Sequence, residues 1–403
     1  MISLKSAPRW LSVSYALINA LFILPVYTLF YLHKGLTMGD FFLIQGFCNL
    51  SAFVMEIPTG YIGDLFSRKH TLIISIILWI IGHLLLIFAD GFALVLLAEL
   101  IFGITIAFIS GTLEAYLYDL LKKRHRESIF HKKYAKMKML YNLSLTFATL
   151  TGAFIYQFAG PTVPLWISTI LSVCSLTILA LLPDVPESRR IVTKDKSKWQ
   201  DILDISKYAV KHPQIKWLMI FPALYGTLTL ILMWGLQSVM AYRQLPIFMF
   251  SLVLGLNAFT RTFWSGISGK ILEKIQLSGI IKLQSLVIVT GALSACITAY
   301  VPLGFVYICL LLMILASSSV SLSAISISVL INHRIKSDER ATVLSVGSMI
   351  NRVCWGFGMI ALKPLFDSIG TGPTFMVSAL LLIPILICAR HLYKMKLPTM
   401  QQE

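Results

Sequence analysis

Long, continuous apolar runs constrain this chain more than any other feature of its sequence. They are about twenty residues long, which is the length that an α-helix needs to cross the hydrocarbon core of a bilayer. Hydrocarbon offers no partners to backbone amides, so each run must be helical. The composition agrees, because 57% of the residues are hydrophobic and 13% are charged, whereas soluble domains carry about 25% charged residues. The sequence therefore predicts an all-α polytopic membrane protein.

Twelve transmembrane helices are predicted, in two pseudo-symmetric halves of six. One long polar segment, residues 183–214, separates the halves and carries an amphipathic pattern typical of a helix on the membrane surface. We expect an N-terminal half over 1–182, a cytoplasmic linker over 183–214 and a C-terminal half over 215–403. The predicted spans are 10–32, 38–62, 70–89, 91–120, 139–159, 162–182, 215–241, 245–268, 279–300, 302–331, 341–365 and 371–393.

Basic residues are concentrated in the loops that follow even-numbered spans. The chain carries 34 basic and 18 acidic residues, for a net charge of +16. The loop after the fourth predicted span, residues 121–138, is rich in lysine and arginine, whereas loops after odd spans are nearly uncharged. Because basic loops stay on the cytoplasmic side, we expect both termini in the cytoplasm. We expect a monomer surrounded by lipid, with no nucleic-acid partner.

A cluster of glycines and charges interrupts the apolar pattern at residues 60–69. We interpret it as a tight cytoplasmic turn between the second and third spans. A weaker copy of the same spacing occurs at residues 266–274, and a duplicated hairpin indicates a transporter with a two-fold repeat. The residues that define the first copy are Gly60, Gly63, Asp64, Arg68 and Lys69.

This cluster resembles the signature hairpin of the major facilitator superfamily, and the resemblance extends over essentially the whole chain. Leu65 and Ser67 depart from the signature, which more often has arginine and glycine there. Residues 56–60 and 110–119 look like a bacterial subgroup of efflux-type facilitators. The resemblance implies the major facilitator fold and secondary transport of a small molecule across a bacterial inner membrane. It does not imply which substrate the protein transports.

Two further departures concern the direction and coupling of transport. Glu99 stands where related drug–proton antiporters often carry an arginine, four residues before Gly103. The fifth predicted span keeps Gly152 but lacks the proline that such antiporters place beside a glycine. The resemblance therefore leaves both the direction and the coupling ion open.

Charged residues inside predicted spans are the strongest functional candidates, since each costs at least about 2.5–3.5 kcal/mol at mid-bilayer. Those of the first half are acidic and those of the second are basic, which predicts a charged substrate cavity where the halves meet. Glu99 is the deepest carboxylate, and we expect it to couple transport to protons; a structural salt bridge is the alternative. The acidic candidates are Glu56, Glu99 and Glu114, and the basic candidates are Arg261 and Arg352.

Other polar residues are assigned more specific roles. Arg261 and Arg352 could bind an anionic substrate or pair with first-half carboxylates, while His83 is expected to be a satisfied interior histidine. Asp119 is the expected partner of Arg68, in a latch that closes the cytoplasmic face. The remaining substrate-binding candidates are Tyr15, Asn19, Tyr225, Gln237, Asn257, Asn351 and Trp355.

These features predict proton-coupled efflux of a small organic compound, such as a drug, siderophore or metabolite. Two alternatives stay open. The chain could import an organic anion or metabolite, or it could be a non-transporting receptor or scaffold on the same fold. We expect no enzyme activity, cofactor or metal site, because the sequence has no nucleotide-binding loop, nucleophile cluster or metal-ligand spacing.

Overall fold

The computed structural model describes residues 2–65, 67–185, 213–274, 277–324, 327 and 337–394. All regular secondary structure in these ranges is helical. Within the same ranges, nine helices are long and apolar enough to cross a membrane. The prediction of an all-helical membrane protein is therefore confirmed, whereas the count of twelve spans stays a prediction.

The chain divides into two compact units. The first contains the helices up to residue 185 together with residues 246–252. Its helices are α1 (Ala7–Ile18), α2 (Tyr27–His33), α3 (Met38–Leu65), α4 (Arg68–Phe88), α5 (Phe92–Ile109), α6 (Thr112–Lys122), α7 (Phe130–Ala159) and α8 (Val163–Leu181). The limits proposed from the sequence for the two halves stay predictions.

The second unit contains the remaining helices. They are α9 (Pro213–Tyr242), α10 (Ile247–Lys274), α11 (Leu277–Ile297), α12 (Leu303–Ser318), α13 (Ser337–Ile360), α14 (Leu362–Ile369), α15 (Thr371–Ser378) and α16 (Leu382–Lys394). The first residues of α10 belong to the first unit. In the second unit α9 packs against α12 and α13, and α11 packs against α12.

Glycines set the closest helix approaches in the first unit. A Cβ atom on Gly103 of α5 would overlap Ser51 and the backbone of Cys48 in α3. A Cβ atom on Gly152 of α7 would likewise overlap the backbone at Phe22. Both helices therefore need glycine at these positions, because only a residue without a side chain permits such contact.

Several predicted spans are interrupted rather than continuous. The first predicted span, 10–32, becomes α1, a short 3₁₀ turn at Leu24–Val26, and α2. The fourth breaks after α5, where Gly111 has a φ of 75° that favours glycine. The first, fifth and eleventh predicted spans are absent from the nine that meet the length and hydropathy criterion in the described ranges.

The interpretation of residues 60–69 as a tight turn was wrong, because most of these residues are helical. Helix α3 continues through Gly60 and Gly63 to Leu65, and α4 begins at Arg68. Ser67 is the N-cap of α4, where its hydroxyl accepts a hydrogen bond from the backbone amide of His70. The second copy is helical as well, because α10 extends to Lys274. A glycine pair in the last turns of an apolar helix does not end it, since the helix is stabilised by packing and by its environment.

Part of the predicted linker lies outside the described residues. The amphipathic helix expected within 183–214 falls largely on residues 186–212, which the structure does not describe. The side chain of Asp64 is also outside the described part of the chain. Both assignments therefore stay predictions.

Candidate functional site

Glu99 lies at the centre of a buried polar cluster in the first unit. Only 2% of its surface is exposed. The hydroxyl of Tyr31 donates to Glu99 Oε1 at 2.6 Å, and the hydroxyl of Tyr27 donates to the same oxygen. Both tyrosines belong to α2 and are themselves buried. The carboxyl group is therefore satisfied within the unit rather than by a basic residue.

The sequence around Glu99 explains how this cluster forms. Gly103 lies one turn beyond Glu99 and brings α5 against α3, as described above. Tyr27 and Tyr31 are four residues apart and therefore share one face of α2. Their rings meet edge to face at 5.2 Å, and Phe41 of α3 packs against Tyr31 at 5.1 Å. Tight aromatic packing thus fixes the two hydroxyls that bind the carboxyl group.

An ion pair between Arg68 and Asp119 joins α4 to α6, where a latch was predicted. Arg68 Nη1 lies 2.5 Å from Asp119 Oδ2 and also donates to the carbonyl oxygen of Ala115 at 2.9 Å. The neighbouring Lys69 donates to the carbonyl oxygens of Ala180 and Leu182 at the end of α8. The predicted contact between Arg68 and Asp119 is confirmed. Its function as a latch stays a prediction.

The other first-unit candidates occupy different surroundings. Glu114 is exposed on the first turn of α6 and accepts a hydrogen bond from the hydroxyl of Tyr134. Glu56 is half-buried in α3. Asn19 caps the end of α1 and donates to the carbonyl oxygen of Tyr15 at 2.8 Å, so its amide serves the local backbone.

A cavity of about 370 Å³ lies within the second unit, lined by helices α9, α10 and α13 and by residues that follow α12, from Val320 to Ile327. It brings together three of the predicted substrate-binding residues: Arg261, Asn351 and Trp355. Serines contribute the remaining polar wall, at positions 321, 323 and 348, and the apolar wall includes Leu218 and Pro222. This is the size and mixed lining that small-molecule sites have.

Three polar atoms on this cavity wall are buried without hydrogen-bond partners. They are Ser323 Oγ, Asn351 Oδ1 and Trp355 Nε1. A buried donor or acceptor that lacks a partner costs about 1–3 kcal/mol. The three residues that carry these atoms line one cavity, so the unpartnered polar groups are concentrated in one part of the unit.

The remaining second-unit candidates do not line this cavity. Tyr225 is fully buried, and its hydroxyl is 2.5 Å from Ser319 Oγ. Asn257 Nδ2 donates to Ser317 Oγ at 2.6 Å, and Gln237 is fully buried in α9. Tyr225 and Asn257 thereby join neighbouring segments of the unit, as polar residues between membrane helices commonly do. Arg352 is half-buried on α13, beside Asn351.

Three residues of these sites were not predicted from the sequence. Tyr27 and Tyr31 were not singled out, although their spacing of four residues, which places two hydroxyls on one helix face, was a usable signal. Ser323 lies in a serine-rich stretch that begins at Ser317, and this polarity within an apolar span was the available clue. Among the described residues, no group of histidine, cysteine and acidic side chains has the arrangement of a metal site.

Comparison with known proteins agrees with these observations. A family model described as Major Facilitator Superfamily matches residues 10–359. A solved structure described as the nucleoside transporter NupG superposes with a TM-score of 0.78, covering 98% of this chain and 100% of that one at 16% identity. The human organic anion transporter MFSD10 (TETRAN) gives a TM-score of 0.62 at 15% identity over 96% of this chain and 100% of that one. At such identities the likeness concerns the fold alone.

Curated relatives match only part of the chain. An uncharacterized transporter of Buchnera aphidicola subsp. Acyrthosiphon pisum (strain APS) is 26% identical over 159 residues, which are 39% of each chain. The sugar transporter ERD6-like 6 of Arabidopsis thaliana is 28% identical over 162 residues, 40% of this chain and 31% of that protein. The matched region thus spans about two fifths or less of the length of these relatives.

Proposed function

Since the chain belongs to the Major Facilitator Superfamily, a family of transporters rather than enzymes, we propose that it exports a small organic compound in exchange for protons. The observation that carries the substrate part of this proposal is the second-unit cavity with its three buried, unpartnered polar atoms. The efflux direction rests on the resemblance of residues 56–60 and 110–119 to efflux-type facilitators.

The cavity defines the chemistry of the proposed substrate. Trp355 Nε1 can only donate a hydrogen bond, whereas Asn351 Oδ1 can only accept one and the hydroxyl of Ser323 can do both. A substrate that satisfies them carries at least one acceptor and one donor, as a hydroxylated or amide-bearing compound does. The apolar wall residues, Leu218 and Pro222 among them, suit the carbon skeleton of such a molecule.

Glu99 is the proposed proton-coupling residue. A carboxyl group that leaves water favours its neutral form, so an enclosed glutamate can change charge during a transport cycle. Protonation would remove the negative charge to which Tyr27 and Tyr31 donate. Because both tyrosines lie on α2, a change at Glu99 in α5 would alter the contact between these two helices. Glu56 and Glu114 are proposed to have smaller effects on coupling.

One observation favours a second candidate function, the import of an organic anion. Arg261 lines the second-unit cavity, and its guanidinium group suits a carboxylate. The two functions make opposite predictions for flux under a pH gradient. An exporter moves substrate against the direction of proton entry, whereas a symporter moves substrate with the protons.

The experiment is gradient-driven flux in proteoliposomes that contain the full chain. We would screen a nucleoside, a sugar and an organic anion, because the names of similar proteins mention these classes. Export is supported when an imposed proton gradient drives a compound in the direction opposite to the protons. Uptake with the protons would replace export by import, and the absence of flux for every compound, with counterflow also absent, would contradict both.

The proposed location is a bacterial inner membrane, with both termini in the cytoplasm. The support is the basic residues of the loop between α6 and α7 and of the first turn of α7, such as Arg124, Lys132 and Lys133. Single cysteines at Lys34 and Lys132, introduced into a variant without the native cysteines, test this orientation. We expect an impermeant thiol reagent to label position 34 and not position 132 in intact cells. The reverse pattern would invert the topology.

A further inference from the structure

Three tyrosine rings surround the ammonium group of Lys138 in the first unit. Lys138 Nζ lies 5.4 Å from the ring centre of Tyr15, 5.3 Å from that of Tyr134 and 6.0 Å from that of Tyr141. All three distances are within the range in which a cation is attracted to an aromatic face. We call the three rings, together with the nearby carboxylate of Glu114, the tyrosine cage.

The tyrosine cage is assembled from three helices. Tyr15 comes from α1 and stacks on Tyr141 of α7 at 5.2 Å with an interplanar angle of 18°. Tyr134, also on α7, donates its hydroxyl to Glu114 on α6. Burial and the adjacent Glu114 carboxylate raise the pKa of Tyr134, so its hydroxyl stays protonated and remains a donor at neutral pH.

The Glu114 carboxylate gives the tyrosine cage a negative charge. Glu114 is exposed on α6, and among the ion pairs of the described residues neither Glu114 nor Lys138 takes part. The ammonium group is therefore held by aromatic faces rather than by a salt bridge. A lysine held in this way can leave without breaking an ion pair, because its four-carbon stem is flexible and its rotamers are many.

We propose that the tyrosine cage is a binding site for an organic cation, and that Lys138 occupies it as a tethered competitor. Aromatic cages with a carboxylate nearby bind alkylammonium groups, since the ring faces and the acid both attract a diffuse positive charge. Exchange of the lysine ammonium for a ligand ammonium leaves the charge of the cage unchanged. The ligand class is a primary to quaternary amine with a small apolar body.

The test measures binding of choline to the purified full-length protein in lipid nanodiscs, by saturation-transfer NMR. We expect the Lys138→Gln variant to bind choline about tenfold more tightly than the wild type, because the internal competitor is gone. The matched control is Lys136→Gln, which removes an equal charge from an exposed position of the same helix. The control should bind as the wild type does.

A second set of measurements separates cation recognition from general apolar binding. Tyr141→Leu should weaken choline binding about tenfold. A neutral isostere, in which a tert-butyl group replaces the trimethylammonium group, should not bind. Equal binding of choline and the isostere, equal affinities of the Lys138→Gln and Lys136→Gln variants, or no choline binding at all would overturn the proposal.

Two further controls keep the result interpretable. If Lys138→Gln does not fold, reductive ¹³C-methylation of the wild type reports on the same exchange. The ring currents of the three tyrosines should then shift the NMR signals of the Lys138 methyl groups away from the value of a solvent-exposed lysine, and added choline should return them toward that value. Signals that do not move would contradict the proposal.

Asn351→Ala, in the second-unit cavity, should leave choline binding unchanged. The test of the tyrosine cage is therefore independent of the proposed transport function.

Discussion

Glu99 in the first unit and Ser323 in the second are equally buried, each with 2% of its surface exposed, yet their polar atoms are in opposite situations. Glu99 receives hydrogen bonds from Tyr27 and Tyr31. The hydroxyl oxygen of Ser323 has no partner, and it shares a cavity wall with two other unpartnered polar atoms. A buried polar group without a partner is costly, so we expect the two regions to have different functions.

The polar group of Glu99 is satisfied within the protein, whereas the polar atoms at the second-unit cavity are not. In the Glu99 cluster the protein itself supplies the hydrogen-bond partners, from two tyrosines of α2. In the second-unit cavity three lining residues carry buried polar atoms that have no partner among the described residues. We expect charge coupling in the first region and substrate contact in the second, and the following variants test that expectation from the largest expected effect to the smallest.

The largest effect is expected for Glu99→Gln. The amide retains the volume of the side chain but cannot change charge between pH 5 and 8. We expect gradient-driven flux to fall by more than about tenfold, equivalent to more than 1.4 kcal/mol. Substrate counterflow should persist, because it needs no net proton movement. Wild-type gradient-driven flux in Glu99→Gln would make Glu99 a structural residue.

A smaller loss is expected when the ion pair between α4 and α6 is removed. Arg68→Ala eliminates both the contact with Asp119 and the hydrogen bond to Ala115. We expect transport to slow by roughly five- to tenfold, equivalent to about 1–1.4 kcal/mol and within the range for a typical intramolecular hydrogen bond, while the amount of inserted protein stays normal. Comparison with Lys69→Ala controls for the loss of a neighbouring positive charge. Unchanged rates in an Asp64→Asn, Arg68→Ala double variant would leave the contact without a role in gating.

An intermediate effect on apparent affinity is expected for Trp355→Phe. Phenylalanine keeps most of the ring but removes the N–H group, which is buried without a partner on a residue that lines the cavity. Loss of one hydrogen bond to substrate should weaken apparent affinity about fivefold, or roughly 1 kcal/mol, with the maximal rate nearly unchanged. The matched control is Trp264→Phe, because Trp264 Nε1 is also buried without a partner but does not line this cavity. Equal changes in both variants would contradict the assignment of the cavity to substrate.

The smallest effect is expected for Glu56→Gln. This carboxylate is half-buried in α3 and lies outside the cluster that Tyr27 and Tyr31 form around Glu99. We expect its gradient-driven flux to remain within about twofold of the wild-type value, as for substitutions away from a buried network. A loss as large as that of Glu99→Gln would move the coupling site from α5 to α3.

Much of the fold could be predicted because the bilayer limits the choices. Continuous apolar runs in hydrocarbon can only be helices, and the residues at 60–69 were specific enough to indicate the family that the model match then established. Helix ends were harder to predict. Gly60 and Gly63 suggested a turn, yet α3 continues to Leu65, because glycine is tolerated in a helix that its surroundings stabilise.

The sequence predicted which residue types belong to the candidate site, but it did not predict their hydrogen-bond partners. Buried charge is expensive, so Glu99 was recognisable from sequence as a candidate. Its partners were not recognisable, since Tyr27 and Tyr31 lie about seventy residues away in the chain. For the same reason Asn257 could be named as polar, but its pairing with Ser317 could not.

The sequence by itself determined that this chain is a helical membrane protein with a facilitator signature, because hydropathy and local motifs are properties of neighbouring residues. Only the tertiary structure decided which polar groups are satisfied. It joined Glu99 to two tyrosines, surrounded Lys138 with three aromatic rings, and left Asn351 and Trp355 facing a cavity. Hydrogen bonds and ring contacts act over a few ångströms, so they depend on how distant segments pack.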